Sequence, residues 1–365
     1  DYLDRGGFLF AEGYCGGAAF DEGFRKLMER VFPEREYRLQ VLPPEHPIWR
    51  AEELVEPDQV RPLLGIEFGC RTSVVYAPPP AAGGKVQPSL SCLWELSRAG
   101  RETKYTPDVQ TRIKGGLTIG LNVLAYATNR GQLQPKEEFL TTTAGNRQPD
   151  SSDRGKIRIA SLRHPGGCTA APRALGTLLE TASRTLKLRF RAETTDLAIT
   201  DQALFDHHLV FMHGRNAFRL TDAERKQLKV YVERGGLVFA NSICANKAFA
   251  ESFRQEMRTL FPDSPLQPIP KNDPMLTPAF GGFDITTVTH RDPQGRAKNE
   301  PLTALQRKGP PELEAVKIGN RYGVIFSPLD LSCALEKQDT LECRGYIRED
   351  AARIGLNVVL YSLSP

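Results

Sequence analysis

The feature that most constrains this chain is an internal repeat. Tyr2–Pro33 aligns without a gap onto Tyr231–Pro262, YLDRGGFLFAEGYCGGAAFDEGFRKLMERVFP against YVERGGLVFANSICANKAFAESFRQEMRTLFP, with 15 of 32 positions identical. Arg5/Arg234, Gly6/Gly235, Gly7/Gly236, Cys15/Cys244, Phe20/Phe249 and Arg25/Arg254 are among the identities. The correspondence continues with gaps: LPPEHP at 42–47 with IPKNDP at 269–274, GCRTSVVYAP at 69–78 with GNRYGVIFSP at 319–328, and Leu90-Ser91-Cys92 with Leu331-Ser332-Cys333. IGLNV occurs at both 119–123 and 354–358. Self-similarity on this scale predicts one fold present twice.

The copies are unequal. The second has about 75 residues (156–230) ahead of its Tyr231, whereas only Asp1 precedes Tyr2, so the first copy is expected to lack its opening strands. Residues 129–155, rich in Gly, Gln, Thr, Pro and Ser, read as an exposed linker. The expected organisation is a truncated unit over 1–128, a linker over 129–155 and a complete unit over 156–365, in keeping with the usual domain size. The chain starts at Asp1 without a basic-then-apolar leader, and the expectation is more polypeptide upstream.

Strand and helix signals alternate in the second copy. Ile157–Leu162 is a short β-branched run, and Leu175, Leu178, Leu179, Ala182 and Leu186 form one helical stripe. Leu209–Met212 and Leu237–Ala240 are continuous apolar runs, as strands covered on both faces should be. Thr221-Asp222-Ala223-Glu224 is a capping box, and Arg234-Gly235-Gly236 closes the helix it opens, with a cation at the negative end of the helix dipole. The pattern predicts an α/β fold with a parallel sheet. Loops are expected over 264–345, apart from two strands near 315–327, with a final helix around 348–361. Ligands bind beyond the carboxyl ends of such strands, which selects the loops 163–168, 213–217 and 241–246. They carry the candidate ligand-binding residues Arg163, His164, His213, Arg215, Asn216, Asn241 and Cys244.

Cys244 follows a strand and precedes a helix, where an elbow nucleophile would sit with helix amides available to lower its pKa. Catalysis would require a base, with His213 or His164 as candidates. The alternative is a cysteine filling a helix–strand corner; Ser-Ile-Cys-Ala-Asn lacks the glycines a sharp elbow favours. Cys15 has the same context in the first copy. His207, His208 and His213 are poorly placed to chelate, since His208 points to the opposite strand face from the other two. No C-x-x-C pair occurs among the seven cysteines, so most read as small buried hydrophobes and no metal or cofactor is expected. No phosphate-binding glycine fingerprint is present, and Asp330 reads as a turn residue.

YVERGGLVFANSICANKAFAESFRQEMRTLFP, LVFMHGRNAFRLTDAE, YGVIFSPLDLSCALE and GYIREDAARIGLNVVLYSL resemble the bacterial family called domain of unknown function 4159. The first copy resembles the later two-thirds of that family. The family comes largely from bacteria such as planctomycetes, often in long exported or envelope-associated proteins. The resemblance implies a flavodoxin-like three-layer sandwich similar to class I glutamine amidotransferases, in tandem. Those enzymes carry a catalytic His and Glu in a Phe-His-Pro-Glu pattern. Here the similar stretches read Phe326-Ser327-Pro328-Leu329 and Tyr76-Ala77-Pro78-Pro79, without either residue.

These observations favour a non-catalytic module that binds a ligand or protein partner. The alternatives are a cysteine-dependent hydrolase or amidase using Cys244, and a structural module of an envelope protein. A formal charge of +4 with no concentrated basic stretch argues against nucleic-acid binding, and no run approaches the ~20 apolar residues of a membrane-spanning helix.

Overall fold

The computed structural model describes residues 2–3, 7–14, 17–34, 37–79, 88–98, 104–128, 157–186, 190–192, 197–293, 304–336 and 343–364. The expected linker 129–155, Arg5, Gly6 and Cys15 lie outside them. The chain forms two compact units, the first built mainly from 1–136 and the second from most of the rest. The whole is mixed α/β, with several sheets and eight α-helices among the described residues.

The first unit runs β1 (Leu9–Glu12), α1 (Ala18–Val31), β2 (Gln40–Val41), β3 (Leu64–Phe68), β4 (Arg71–Ala77), α2 (Leu90–Ser97) and α3 (Pro107–Thr128). Its sheet has the order β1-β4-β3-β2. β1 and β4 are parallel, with Leu9 opposite Val74, and β3–β4 is an antiparallel hairpin with a bulge between Ile66 and Glu67. Phe24, Met28, Ile66, Val74 and Tyr76 build one core. Ile48, Trp49, Val75, Leu90 and Ile119 build another. β4 supplies both, because alternate strand residues point to opposite faces.

The second unit runs β5 (Ile157–Arg163), α4 (Ala174–Leu186), β6 (Phe190–Ala192), β7 (Leu197–Ala198), β8 (Leu209–Gly214), α5 (Asp222–Glu233), β9 (Leu237–Ser242) and α6 (Lys247–Leu260). β10 (Gln267–Pro268), β11 (Val288–Pro293), β12 (Ala304–Gly309), β13 (Glu314–Ile318), β14 (Arg321–Ser327), α7 (Ser332–Leu335), β15 (Gly345–Tyr346) and α8 (Arg348–Ser362) follow. The main sheet has the order β10-β13-β14-β9-β8-β5-β6, with β7 also on β5. It is parallel from β6 to β14 and antiparallel at the β14-β13-β10 edge. The expected parallel sheet is present from β6 to β14, and an antiparallel edge makes the whole sheet mixed. The short connection Gly319–Asn320 leaves room only for a hairpin between β13 and β14. The stretch 264–345 also holds more than the two expected strands: β10 joins the edge, and β12-β11-β15 form a small sheet of their own.

Val238 stands opposite Val324 in the parallel β9–β14 pair, and the β13–β14 hairpin has its bulge between Val316 and Lys317. In the sequence alignment Leu9 and Val74 correspond to Val238 and Val324, so both units use the same register. Val210, Met212, Val238 and Ala240 share one core with residues of α5 and α6. Their neighbours Leu209, Phe211, Leu237 and Phe239 are equally buried, so the central strands are covered on both faces. Each fully buried Phe or Leu contributes roughly 1.5–3 kcal/mol relative to exposure. The capping box forms at Thr221 and Glu224. α5 then stops at Gly235, whose φ of 98° favours glycine.

Candidate functional site

The carboxyl ends of β5, β8 and β9 are adjacent in the sheet, so the three loops chosen from sequence meet. The amides of Arg215 and Asn216 donate to the Gly166 carbonyl at 2.9 and 3.0 Å. The side chains divide sharply. Arg163 and Asn216 are exposed and Arg215 is half-buried, whereas His164, His213 and Asn241 are buried.

Both histidines are engaged internally. His164 Nδ1 accepts the Gly166 amide at 3.0 Å, so Nε2 carries the proton it donates to the His213 carbonyl, also at 3.0 Å. Burial lowers the His164 pKa to about 4 against opposing contributions from the His213 carbonyl and Glu224. His213 Nδ1 lies 2.9 Å from the Ser332 hydroxyl. Burial lowers this imidazole to about 3; His164 adds to the effect and a hydrogen bond with the Cys168 backbone opposes it. Each histidine is held neutral, because its ring is buried and protonation would strand a poorly solvated charge in the core.

Asn241 ties the end of β9 to the segment after β14. Its Nδ2 donates to the carbonyls of Ser327 and Leu329 at 3.3 and 2.8 Å. Its Oδ1 accepts the amides of Leu331 and Ser332 at 3.3 and 3.1 Å and the Ser332 hydroxyl at 2.8 Å. The side chain is wholly committed to scaffolding, which leaves Asn241 nothing to offer a ligand.

Past Ser242 the chain turns through Ile243-Cys244-Ala245 before Asn246 caps α6, accepting the amides of Ala248 and Phe249. Cys244 and Ala245 have φ of 53° and 52°, in the left-handed region that non-glycine residues avoid. Such strain costs on the order of 1–3 kcal/mol per residue and persists only where the surroundings impose it. Asp330 is one source of that constraint. Its Oδ1 accepts the Cys244 amide at 2.9 Å and the Cys333 amide at 3.2 Å, and its Oδ2 accepts the Ala334 amide at 3.2 Å. Burial raises the Asp330 pKa, while those amides and the Arg291 charge counter the shift. Asp330 is thus a turn residue, as expected from its local sequence, and it organises that turn from a buried position.

Cys244 has its sulfur 3.1 Å from Cys333 Sγ. Cys343 reaches the same place because Cys343-Arg344-Gly345 runs beside Asp330. The Asp330 amide donates to the Arg344 carbonyl and the Tyr346 amide to the Asp330 carbonyl. Gly345 is required here, since a Cβ would meet the Asp330 carbonyl oxygen at 2.5 Å. One ligand atom from each of Cys244, Asp330, Cys333 and Cys343 falls within 4.8 Å of all the others. The Cys343 thiol is pushed well above its usual pKa, first by burial and then by its hydrogen bond with Cys244 and the Asp330 charge.

Cys92, Cys168, Cys244 and Cys343 are reduced, whereas Cys70 and Cys333 are half-cystines. Cys70, Cys168, Cys333 and Cys343 are buried, as expected of most cysteines, but Cys70 and Cys333 are bonded and not merely hydrophobic, and spacing along the chain does not disclose which sulfurs the fold gathers. Sequence reasoning found Cys244 but missed Cys333 and Cys343. The available signal was the alignment of Leu90-Ser91-Cys92 with Leu331-Ser332-Cys333, which marks 333 as a repeated structural position.

The profile of domain of unknown function DUF4159 matches residues 1–128 and 158–363. The chain belongs to the DUF4159 family. A solved structure of a ThuA-like protein from Bacteroides uniformis is similar at 12% identity over 60% of this DUF4159 chain and 95% of its own, with a TM-score of 0.26. No curated protein sequence matches. Among the described residues, no helix of this family member is long and apolar enough to cross a membrane.

Proposed function

We propose that the second unit is a non-catalytic, amidotransferase-like binding module of a larger bacterial protein, and that its elbow holds Cys244 for binding and not for nucleophilic attack. The observation that carries this reading is the disposition of the histidines. His213 faces Ser332 and His164 faces the His213 carbonyl, so neither candidate base is hydrogen-bonded to the Cys244 sulfur. A thiol on a strained elbow whose two candidate histidines are engaged elsewhere is not served by the imidazole acceptor that a cysteine hydrolase commonly uses. The missing Phe-His-Pro-Glu residues at 326–329 support the same reading.

We further read the two units as copies of one fold, the first without the strands equivalent to β5 and β8. Support comes from the shared β1–β4 and β9–β14 register and the matching bulges. Localisation at the cell envelope is part of the same proposal.

The hydrolase reading keeps one specific observation in its favour, the left-handed φ of Cys244, which nucleophile elbows share. The rate of thiol alkylation against pH separates the two in metal-free protein. Slow alkylation of Cys244 near neutral pH is expected; fast alkylation there overturns the non-catalytic reading. Cys244→Ser is expected to cost about 1 kcal/mol of stability, since a hydroxyl enters a site shaped for sulfur.

A further inference from the structure

The convergence of three cysteine sulfurs and one carboxylate at the elbow is chemistry that the binding-module reading leaves unassigned. Thiolate sulfur selects soft or borderline cations, and a tetrahedral zinc site with Zn–S near 2.3 Å places its sulfurs about 3.8 Å apart. The ligand atoms of Cys244, Asp330, Cys333 and Cys343 all fall within 4.8 Å of one another and the Cys244 and Cys333 sulfurs are 3.1 Å apart, so changes in separation of up to about 1 Å bring the sulfurs to that spacing. Asp330 already accepts three backbone amides, and a carboxylate has about four lone-pair positions, so one remains for a cation. Those amides would serve as outer partners that orient the ligand. Cys244 is the least buried member and offers the side from which an ion can enter.

Cys333 is a half-cystine, and its sulfur cannot act as a thiolate until that bond is opened. We propose that reduction of the Cys333 disulfide creates a site for one thiophilic divalent cation of the zinc class, held by the sulfurs of Cys244, Cys333 and Cys343 and by Asp330. The inference rests on reading the elbow as a binding site. A phosphine supplies the electrons: its phosphorus is oxidised to the phosphine oxide with oxygen from water, and the disulfide gains two electrons and two protons to become two thiols. Cation binding then releases the three thiol protons to solvent as three sulfur–metal bonds form.

The test uses the full chain, reduced with a phosphine, freed of metal and titrated anaerobically with Co2+. The expected result is one tightly held ion per chain, a thiolate-to-cobalt charge-transfer band, and stoichiometric displacement by Zn2+. The oxidised chain should show no such band. Cys343→Ser and Cys244→Ser should each lose the stoichiometric uptake, while Cys92→Ser, outside the cluster, keeps it. Cys333 and Cys343 are buried in the folded chain, so alkylation by iodoacetamide is compared in urea near the unfolding midpoint, where the metal-free reduced chain opens: Zn2+ should slow alkylation of Cys244, Cys333 and Cys343 together and leave that of Cys92 unchanged. This measurement needs no variant to fold. A reduced chain that takes up no Co2+, or Zn2+ that leaves the alkylation of these three cysteines unchanged, overturns the proposal. Rapid alkylation of Cys244 in the metal-free chain near neutral pH would instead overturn the non-catalytic reading on which the site depends.

Discussion

Asn241 Oδ1 accepts the Ser332 hydroxyl at 2.8 Å, and through this contact the end of β9 grips the segment that carries Asp330 and Cys333 of the sulfur–carboxylate cluster. The same amide satisfies two carbonyls and two backbone amides, all in a region without solvent access. Asn241→Ala strands these groups, and each unsatisfied buried polar group costs about 1–3 kcal/mol before any relaxation. The expected loss is about 3 kcal/mol or more, read as a lower denaturant midpoint with an unchanged slope. Asn241→Asp should also destabilise, because the new carboxylate cannot donate to the Ser327 and Leu329 carbonyls.

A second prediction compares Leu121 and Leu356, which occupy the same place in the two IGLNV segments. Leu356 is 2% exposed, and neighbouring Gly355 approaches Leu178 of α4 so closely that a Cβ would meet it at 2.7 Å. Leu121 is 53% exposed, and the described part of the first unit has no counterpart of α4. Leu356→Ala is expected to cost about 2–5 kcal/mol, and Leu121→Ala within about 0.5 kcal/mol. Equal losses would mean that the face of α3 is covered in solution.

Much of this frame was legible in the sequence. The apolar runs 209–212 and 237–240 became the central strands β8 and β9, because a strand covered on both faces needs no polar alternation. The strand pair near 315–327 and the helix around 348–361 were legible for the same reason, through β-branched content and helical periodicity. The edge strand β10, only two residues long, carries no periodicity to detect. The site was half legible. Cys244 was marked by its place after a strand, whereas Cys343 is about 100 residues away in sequence and joins it only because Gly345 lets its segment lie against Asp330. His164 lies just past the end of β5, whereas His213 and Asn241 fall in the last residues of β8 and β9 and not on the loops expected of them; sequence position does not say whether a side chain there turns inward.

The pH dependence of stability follows from the buried histidines. Burial lowers His46 and His164 to about 4 and His213 to about 3, against an ordinary 6.5. Below pH 6.5 the unfolded chain binds protons that the folded chain refuses, so stability is complete above 6.5 and falls as pH drops towards 4. Near pH 5 each histidine contributes about one proton to the difference, or about 1.4 kcal/mol per pH unit. His46→Asn or His164→Asn should reduce the slope of unfolding free energy against pH by about that amount, whatever its effect at pH 7. A slope unchanged in both variants would show that these rings titrate normally in the fold.

The last prediction concerns Glu336, which is buried and paired with Arg173. The guanidinium donates through Nε at 3.2 Å and Nη2 at 3.1 Å, and the Arg173 amide donates to the other carboxylate oxygen. Burial raises the Glu336 pKa, and the Arg173 charge and hydrogen bonds oppose the shift. Removing one partner of a buried pair costs about 3–5 kcal/mol, and the partial exposure of Arg173 places this pair near the lower figure. Arg173→Ala leaves a desolvated carboxylate, whose folded pKa should rise further. An acid with a raised folded pKa disfavours folding when ionised, so the penalty should be full above that pKa. It should shrink as pH falls towards 4.5, where the unfolded carboxyl also takes up a proton. Arg173→Ala should therefore lose about 3 kcal/mol at pH 8 and recover part of it near pH 5. Comparison with Glu336→Gln, which has no charge to bury, isolates the effect, since its penalty should contain no such recovery. Urea unfolding of the three proteins at both pH values measures this, and identical pH responses in the two variants would mean that the carboxylate is solvated once Arg173 is gone.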